Sequence, residues 1–330
     1  MTAVKNAKAL KNYLVNLIKF SVAAGLIYWL VSSGNLDFGL LFSLLSPTFL
    51  LGVFGITLLN LSMNNLRWLL LLRSQGLGAT YWNTFKLSLI GLFFNFAMPG
   101  GVGGDIVKGY YVVQGYPEKK MASAVSIFVD RLVGLFSMVL ISLIALALNY
   151  HLMDGRPDLQ SLAEGAMILF GGFLLAVALA LSNRSKGFFY KIFEILPGGT
   201  FLQKLHESFY AYRSSPLSLF YALMLSLVSQ TFAVIFFILV GEAMAVNIPW
   251  QAYFFVVPVG LIAMSAPIAP AGIGIGQAAF LALFTMYLGY QSPVGPTAVT
   301  LNQLVLLCWG LVGAVFYFSR KHPSLETLQS

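Results

Sequence analysis

Two short strings decide the fold: Pro99-Gly100-Gly101-Val102-Gly103-Gly104-Asp105 and Pro270-Ala271-Gly272-Ile273-Gly274-Ile275-Gly276. Each interrupts an apolar region, 82–115 and 251–288 respectively. They match as Pro-x-Gly-(Val/Ile)-Gly, and Pro270 follows Pro99 by 171 positions (270 − 99). Proline and glycine break helices. At membrane depth, broken backbone survives only where protein buries it or a cavity solvates it. Two such breaks at matched positions are therefore a statement about architecture.

The flanking sequence makes lipid the solvent. The 330-residue chain is 58% hydrophobic and 9% charged, against roughly 25% charged in a soluble domain. One soluble core could not enclose that much apolar surface, so an all-α polytopic membrane protein is expected. Six stretches are long enough to span a bilayer, at about 13–33, 48–72, 121–149, 162–182, 217–241 and 297–318. Lys5, Lys8 and Lys11 precede the first, whose length of about 30 Å at helical rise marks a retained span rather than a signal peptide. The single cysteine, Cys308, lies in a hydrophobic segment and excludes an internal disulfide or a Cys-based metal site. His151, His206 and His322 fall in expected loops or the tail, far apart in sequence. No metal and no cofactor is expected.

A net charge of +8 would suggest nucleic acid in a soluble protein. Here the basic residues lie between apolar runs and set orientation, so no nucleic-acid partner is expected. Most Lys and Arg sit at the amino terminus, the Arg73 turn, Glu118-Lys119-Lys120, the 183–216 linker and Arg320-Lys321. The opposite loops hold Asp37, Asp154, Asp158, Glu164 and Glu242, with Arg156 alone basic. The rule that cytoplasmic loops are Lys/Arg-rich then puts both termini in the cytoplasm.

On that orientation, 82–115 starts and ends at cytoplasmic turns, and 251–288 starts and ends on the other side. Each reads as a re-entrant hairpin, and the first limb of the former, about 82–97, is short for a full span. The 171-residue offset also lays 48–72 over 217–241 and 121–149 over 297–318. The expected architecture is one membrane domain, 1–330, holding an inverted repeat of two halves, 13–149 and 162–319. Each half has three full spans plus a re-entrant Pro/Gly-broken helical hairpin, and 183–216 is a basic cytoplasmic linker. Broken helices in equivalent positions point to a substrate site near the midplane of a transporter-like fold. The plainer alternative is that the glycines let helices pack closely.

The residues able to carry chemistry gather near the tips. Gly101, Gly103, Gly104, Gly272 and Gly274 leave backbone N–H donors free, and helices starting after each tip would attract an anion such as a lipid phosphate. Asp105 suits an N-cap, with a short helix following to about Gln114. Asp105 and Lys108 share a helix face; they form either a cap with a local ion pair, or a phosphate ligand, Lys108, with its positioning partner.

Asp130 and Arg131 lie inside a span, where ionisable residues need partners or a watery path. Adjacent residues point about 100° apart. Arg67 or Lys108 is the expected partner of Asp130, and Asp105 or a substrate phosphate that of Arg131; an internal ion pair locking the bundle is the plainer use. Asn60, Asn64 and Arg67 share a face of the second span, with Asn65 beside them. Asn95 precedes the first tip, Asn302 and Gln303 fall beside the repeat equivalents of Asp130 and Arg131, and Gln230 lies in 217–241. Arg184, Lys186, Lys191, Lys204 and Arg213 in the linker fit either an interfacial helix touching anionic lipid or a topology signal.

Four strings together resemble one family, the transmembrane, flippase-like domain of bacterial lysylphosphatidylglycerol synthases and its stand-alone relatives. They are Asn65-Leu66-Arg67-Trp68, Asn95 to Asp105 (NFAMPGGVGGD), Asp130-Arg131-Leu132-Val133-Gly134, and Pro270 to Gln277 (PAGIGIGQ). The resemblance covers about 13–319. Two positions depart from the family: Lys108 stands where arginine is common, keeping the charge without the fork, and Gln277 stands where the second motif usually closes with Glu. The synthases carry a separate soluble aminoacyl-transfer domain, and only a short tail follows the last expected span here. The resemblance therefore implies lipid translocation and not lysyl transfer.

The expected function is a bacterial inner-membrane, flippase-like transporter of an amphiphilic, phosphate-containing or otherwise anionic lipid. Arg67, Lys108 and Arg131 would hold the headgroup, Asp105 and Asp130 would balance charge, and Asn95, Gln277 and Asn302 would line the path. Membrane lipids are the expected partners, with a homo-oligomer or a lipid-biosynthetic enzyme as the protein partners left open. Two rivals remain: an intramembrane transferase using Asp105 and Asp130 as acid and base, and a non-transporting partner of a biosynthetic enzyme. No enzyme is the favoured expectation.

Overall fold

The computed structural model describes residues 27–32, 46–98, 103–150, 156–182, 199–266 and 269–319, with Gly187 and isolated positions between 21 and 44. Most of the expected span 13–33, the Pro99–Val102 run with Gly101, and the start of the 183–216 linker lie outside the described residues. Among the described residues every regular element is helical. In chain order they are α1 (Pro47–Ser74), α2 (Tyr81–Ala97), α3 (Gly103–Gly115), α4 (Lys120–Leu148), α5 (Pro157–Leu181), α6 (Gly199–Tyr210), α7 (Pro216–Ala243), α8 (Trp250–Met264), α9 (Ile275–Leu288) and α10 (Val294–Phe318). Short 3-10 turns occupy Pro117–Lys119, Ala211–Ser214 and Pro270–Gly272.

Helices α1, α4, α5, α7 and α10 are each long and apolar enough to cross a membrane, and they overlie five of the six expected spans. The others are shorter: α2 has 17 residues, α3 13, α8 15 and α9 14. Proline opens α1, α5 and α7, where its missing N–H costs nothing and its fixed φ suits a first turn. That preference starts α5 at Pro157 rather than near 162.

The ends of α1 and α7 are closed by the same turn. After α1, Gly76 (φ +69°) donates to the Arg73 carbonyl at 2.9 Å and Leu77 to that of Leu72 at 3.2 Å. After α7, Ala245 (φ +53°) donates to Glu242 at 2.9 Å and Val246 to Gly241 at 3.2 Å. Both satisfy terminal carbonyls in the Schellman manner.

Packing follows a regular exchange. α1 lies against α7; α2 against α10, as α8 lies against α4; α2 against α3, as α8 against α9; and α3 against α4, as α9 against α10. Each contact has its counterpart when α1–α4 are replaced in order by α7–α10. The largest core cluster joins α7, α8, α9 and α10, with Phe237 stacked on Phe280 at 4.8 Å between ring centres. In lipid, burying Phe280 gains little from the hydrophobic effect; the gain is close van der Waals packing. α5 packs on α4 and joins the same cluster through Leu159 and Ala163, with Ile168 and Leu175 exposed.

Arg156, the lone basic residue of its loop set, has a local task. Its Nη1 donates to the Tyr287 carbonyl at 2.7 Å and its Nη2 to that of Met286. A cation thus caps the C-terminal end of α9, where orphan carbonyls and the helix dipole favour positive charge.

Candidate functional site

A cavity of about 410 Å³ opens among α1, α4, α7, α8 and α10. Its polar lining comprises Thr57, Asn60, Asn64 and Arg67 from α1, Asp130 and Arg131 from α4, Gln230 from α7, Ser265 at the end of α8 and Asn302 from α10. The spacing 60, 64, 67 puts three of these on one face of α1. Asn65 points instead toward α2 and donates to the Tyr81 carbonyl at 3.2 Å. Across the α1–α7 contact, Asn60 Nδ2 donates to the Ser229 carbonyl at 2.7 Å; within α1, Asn64 Nδ2 donates to the Asn60 carbonyl at 3.0 Å.

The two arginines of the cavity are used differently. Arg67 Nε and Nη2 donate to the two carboxylate oxygens of Asp130 at 2.7 and 3.1 Å, and its Nη1 donates to Ser226 Oγ at 2.7 Å. Ser226 in turn bonds Ser137 at 2.7 Å, and Ser137 donates to the Gly134 carbonyl at 2.7 Å. The Arg67 side chain is 7% exposed and that of Asp130 15%. Every nitrogen of that fork has a partner, so the pair works as a latch across α1, α4 and α7.

Arg131 engages Asp105 through Nε alone. Its side chain is 37% exposed, and its two terminal nitrogens have no partner among the described residues. Gln230 and Asn302 likewise face the cavity without a hydrogen bond among the described residues. The cavity therefore presents one half-used guanidinium and two free amides, a set suited to a phosphate or carboxylate.

Of the pairings open on sequence, Asp130 takes Arg67 and Arg131 takes Asp105. One expectation is corrected: α3 already runs through Gly103 and Gly104, so Asp105 sits in its first turn and its carboxylate turns to Arg131 instead of capping. Lys108 does not line the cavity. Its Nζ lies 4.8 Å from the centre of the Trp68 ring, a cation–π placement.

The glycine tips serve local structure at the described positions. A Cβ on Gly104 would run into the Gly91 carbonyl, and one on Gly103 into Met98 and the Phe94 carbonyl, so these glycines set the α2–α3 approach. Asn95 Oδ1 accepts from the Gly104 N–H at 2.8 Å. Gly272 (φ +69°) and Gly274 (φ +81°) take positive φ in the second tip, open to glycine and costly for other residues. Gln277 is buried: its Oε1 accepts from the Gly274 N–H at 2.8 Å, and its Nε2 donates to Gln303 Oε1 at 2.8 Å and to Thr300 at 3.1 Å. Gln303 Nε2 then donates to the Ala271 carbonyl at 3.1 Å. Gly101 lies outside the described residues.

Ser226 and Ser137 are the functional neighbours that sequence reading missed. A lone serine in an apolar helix is unremarkable. The signal available was the run Ser226, Ser229, Gln230, which shares one face of α7.

Comparison with curated proteins and with solved structures gives no match. A family profile does match: residues 16–314 align with the lysylphosphatidylglycerol synthase TM region, a stretch that holds all four strings quoted above. The chain is a polytopic helical membrane protein and belongs to the lysylphosphatidylglycerol synthase TM region family.

Proposed function

We propose that this protein moves a phosphate-bearing or otherwise anionic lipid across the bacterial inner membrane, with the headgroup in the cavity and the tails in the bilayer. Family membership fits a role tied to membrane lipid. The observation that carries the finer reading is the half-used fork of Arg131, exposed to a polar cavity inside a membrane protein. An uncompensated donor set at such a place is costly and calls for a ligand.

The same reading takes α1–α4 and α7–α10 as an inverted repeat, with α2–α3 and α8–α9 as hairpins that re-enter the bilayer. Three observations support it. The helix contacts exchange in register between the two sets. The turns after α1 and α7 close with the same two hydrogen bonds. At about 1.5 Å per residue, α2, α3, α8 and α9 fall short of the ~30 Å hydrocarbon core. The reading takes both termini as cytoplasmic, and the basic loops support it. Asp105 and Asp130 already accept guanidinium donors, which favours positioning over acid–base work and so a transporter over a transferase.

The test is lipid scrambling in proteoliposomes, with labelled anionic and zwitterionic lipids. Arg131→Ala should keep its fold and lose transport by roughly 10–100-fold, the value of charge-assisted hydrogen bonds worth about 1.5–3 kcal/mol. Wild-type rates in a folded Arg131→Ala protein would remove the headgroup assignment. No transport of any lipid by the wild type would remove the transporter reading.

A further inference from the structure

We propose that the cleft between α3 and α4 is the lateral door of the cavity, holding one acyl chain of a bilayer lipid whose anionic headgroup reaches Arg131. The proposal rests on the transport reading above and names the path by which its substrate enters.

The central cavity, about 410 Å³, is near the lower end of the ~300–1,000 Å³ range of small-molecule sites. Its polar lining has room for a headgroup and none for two hydrocarbon tails, which lose their lipid environment if drawn inside. A lipid substrate therefore needs an apolar cleft that meets the cavity at its charged wall. One such cleft is present. A second cavity of about 490 Å³ lies between α3 and α4, walled by Ile106, Tyr110 and Val113 on one side and Ala124, Phe128 and Leu132 on the other.

Two residues, Arg131 and Leu135, line both cavities. They stand one turn apart on α4, so the wall between cleft and cavity is a single side-chain layer. Asp105 lines only the cleft and bonds Arg131 from that side. Ile106, Tyr110 and Phe128 are 63%, 58% and 56% exposed, and in a membrane protein such a face meets lipid. Asp105 engages Nε and leaves the terminal nitrogens of Arg131 open. A phosphate arriving along the cleft would meet Asp105 and Arg131 together, and its charge would compete with Asp105 for the guanidinium. The Asp105–Arg131 pair is thus the latch of the door.

The test uses the full chain in phosphatidylglycerol-containing vesicles with a phosphatidylglycerol probe carrying a photoreactive group in its acyl chain. Cross-links should concentrate on α3 and α4, and Arg131→Gln should reduce them about tenfold, as expected for lost charge-assisted bonds. Ala124→Trp, which fills the cleft from an exposed position, should abolish both the cross-links and transport. Gly109→Leu fills the same cleft should that variant fail to fold. Ile168→Trp on the lipid-facing side of α5 should change neither. Equal labelling over α5 and α10, or full transport by a folded cleft-filled protein, would overturn the door while leaving transport standing. Arg131-dependent labelling of α3 and α4 in a wild type that moves no lipid would keep the site and remove the transport reading.

Discussion

At the joint between α3 and α4, Arg131 donates to Asp105; at the joint between α9 and α10, Gln277 donates to Gln303 at 2.8 Å. The partners are 26 residues apart in both cases, and each bond ties the helix after a broken tip to the helix that closes the set. The first joint is charged and part-exposed, with side chains 37% and 22% accessible. The second is neutral and buried, at 6% or less. Neutral amides suffice to hold such a joint. The charges of the first joint therefore ask for a use besides architecture, and with a half-free arginine beside a cavity the proposed use is binding.

The largest expected effect comes from the other ion pair, which has no amide counterpart. Asp130→Ala leaves Arg67 buried with only Ser226 for company, and losing one partner of a buried pair typically costs about 3–5 kcal/mol. Thermal unfolding in detergent should show a large drop. Replacing both partners, Arg67→Met with Asp130→Leu, should recover most of it, because no stranded charge remains. If Asp130→Ala unfolds at the wild-type temperature, Arg67–Asp130 is not a latch and the division of labour between the two arginines fails.

A smaller effect on the fold, and a larger one on function, is expected when the first joint is rewritten in the chemistry of the second. Asp105→Gln with Arg131→Gln keeps a hydrogen-bonding pair across α3 and α4. Stability should stay within about 1 kcal/mol, the net worth of one such bond. Scrambling should fall about as far as in Arg131→Ala. Transport that survives the swap would mean the charges are architectural after all, and the contrast between the joints would carry no functional lesson.

Much of this is legible in the sequence. Long apolar runs locate α1, α4, α5, α7 and α10 because lipid demands about 20 apolar residues per span, and the spacing of Asn60, Asn64 and Arg67 fixes one cavity wall. Partner choice was not legible. Asp130 and Arg131 are neighbours in sequence, and only helix packing decides that one faces α1 and the other α3. Lys108 shows the same limit: a cation three residues after Asp105 reads as its ion-pair partner, yet Trp68 on another helix takes it. The Gln277–Gln303 bond was readable in principle, since both lie 172 positions beyond Asp105 and Arg131 (277 − 105 and 303 − 131). What hid it was chemistry: amides in place of charges do not announce a pair.

The smallest expected effect sharpens the comparison at the level of one turn. Gly76 and Ala245 close α1 and α7 with the same two hydrogen bonds and similar positive φ, +69° and +53°. Glycine reaches that region freely, whereas an L-residue with a Cβ is disfavoured there by roughly 1–2 kcal/mol. Ala245→Gly should relieve part of that strain, offset by the extra freedom of glycine in the unfolded chain. The net expected gain is about 0.5–1 kcal/mol, read as a rise in melting temperature with transport unchanged. The reverse substitution, Gly76→Ala, should lower it, more so because a Cβ there would meet Lys119 Nζ. Opposite signs at the two sites would show that the two turns are one solution with a better and a worse residue in it; equal signs would show that they only look alike.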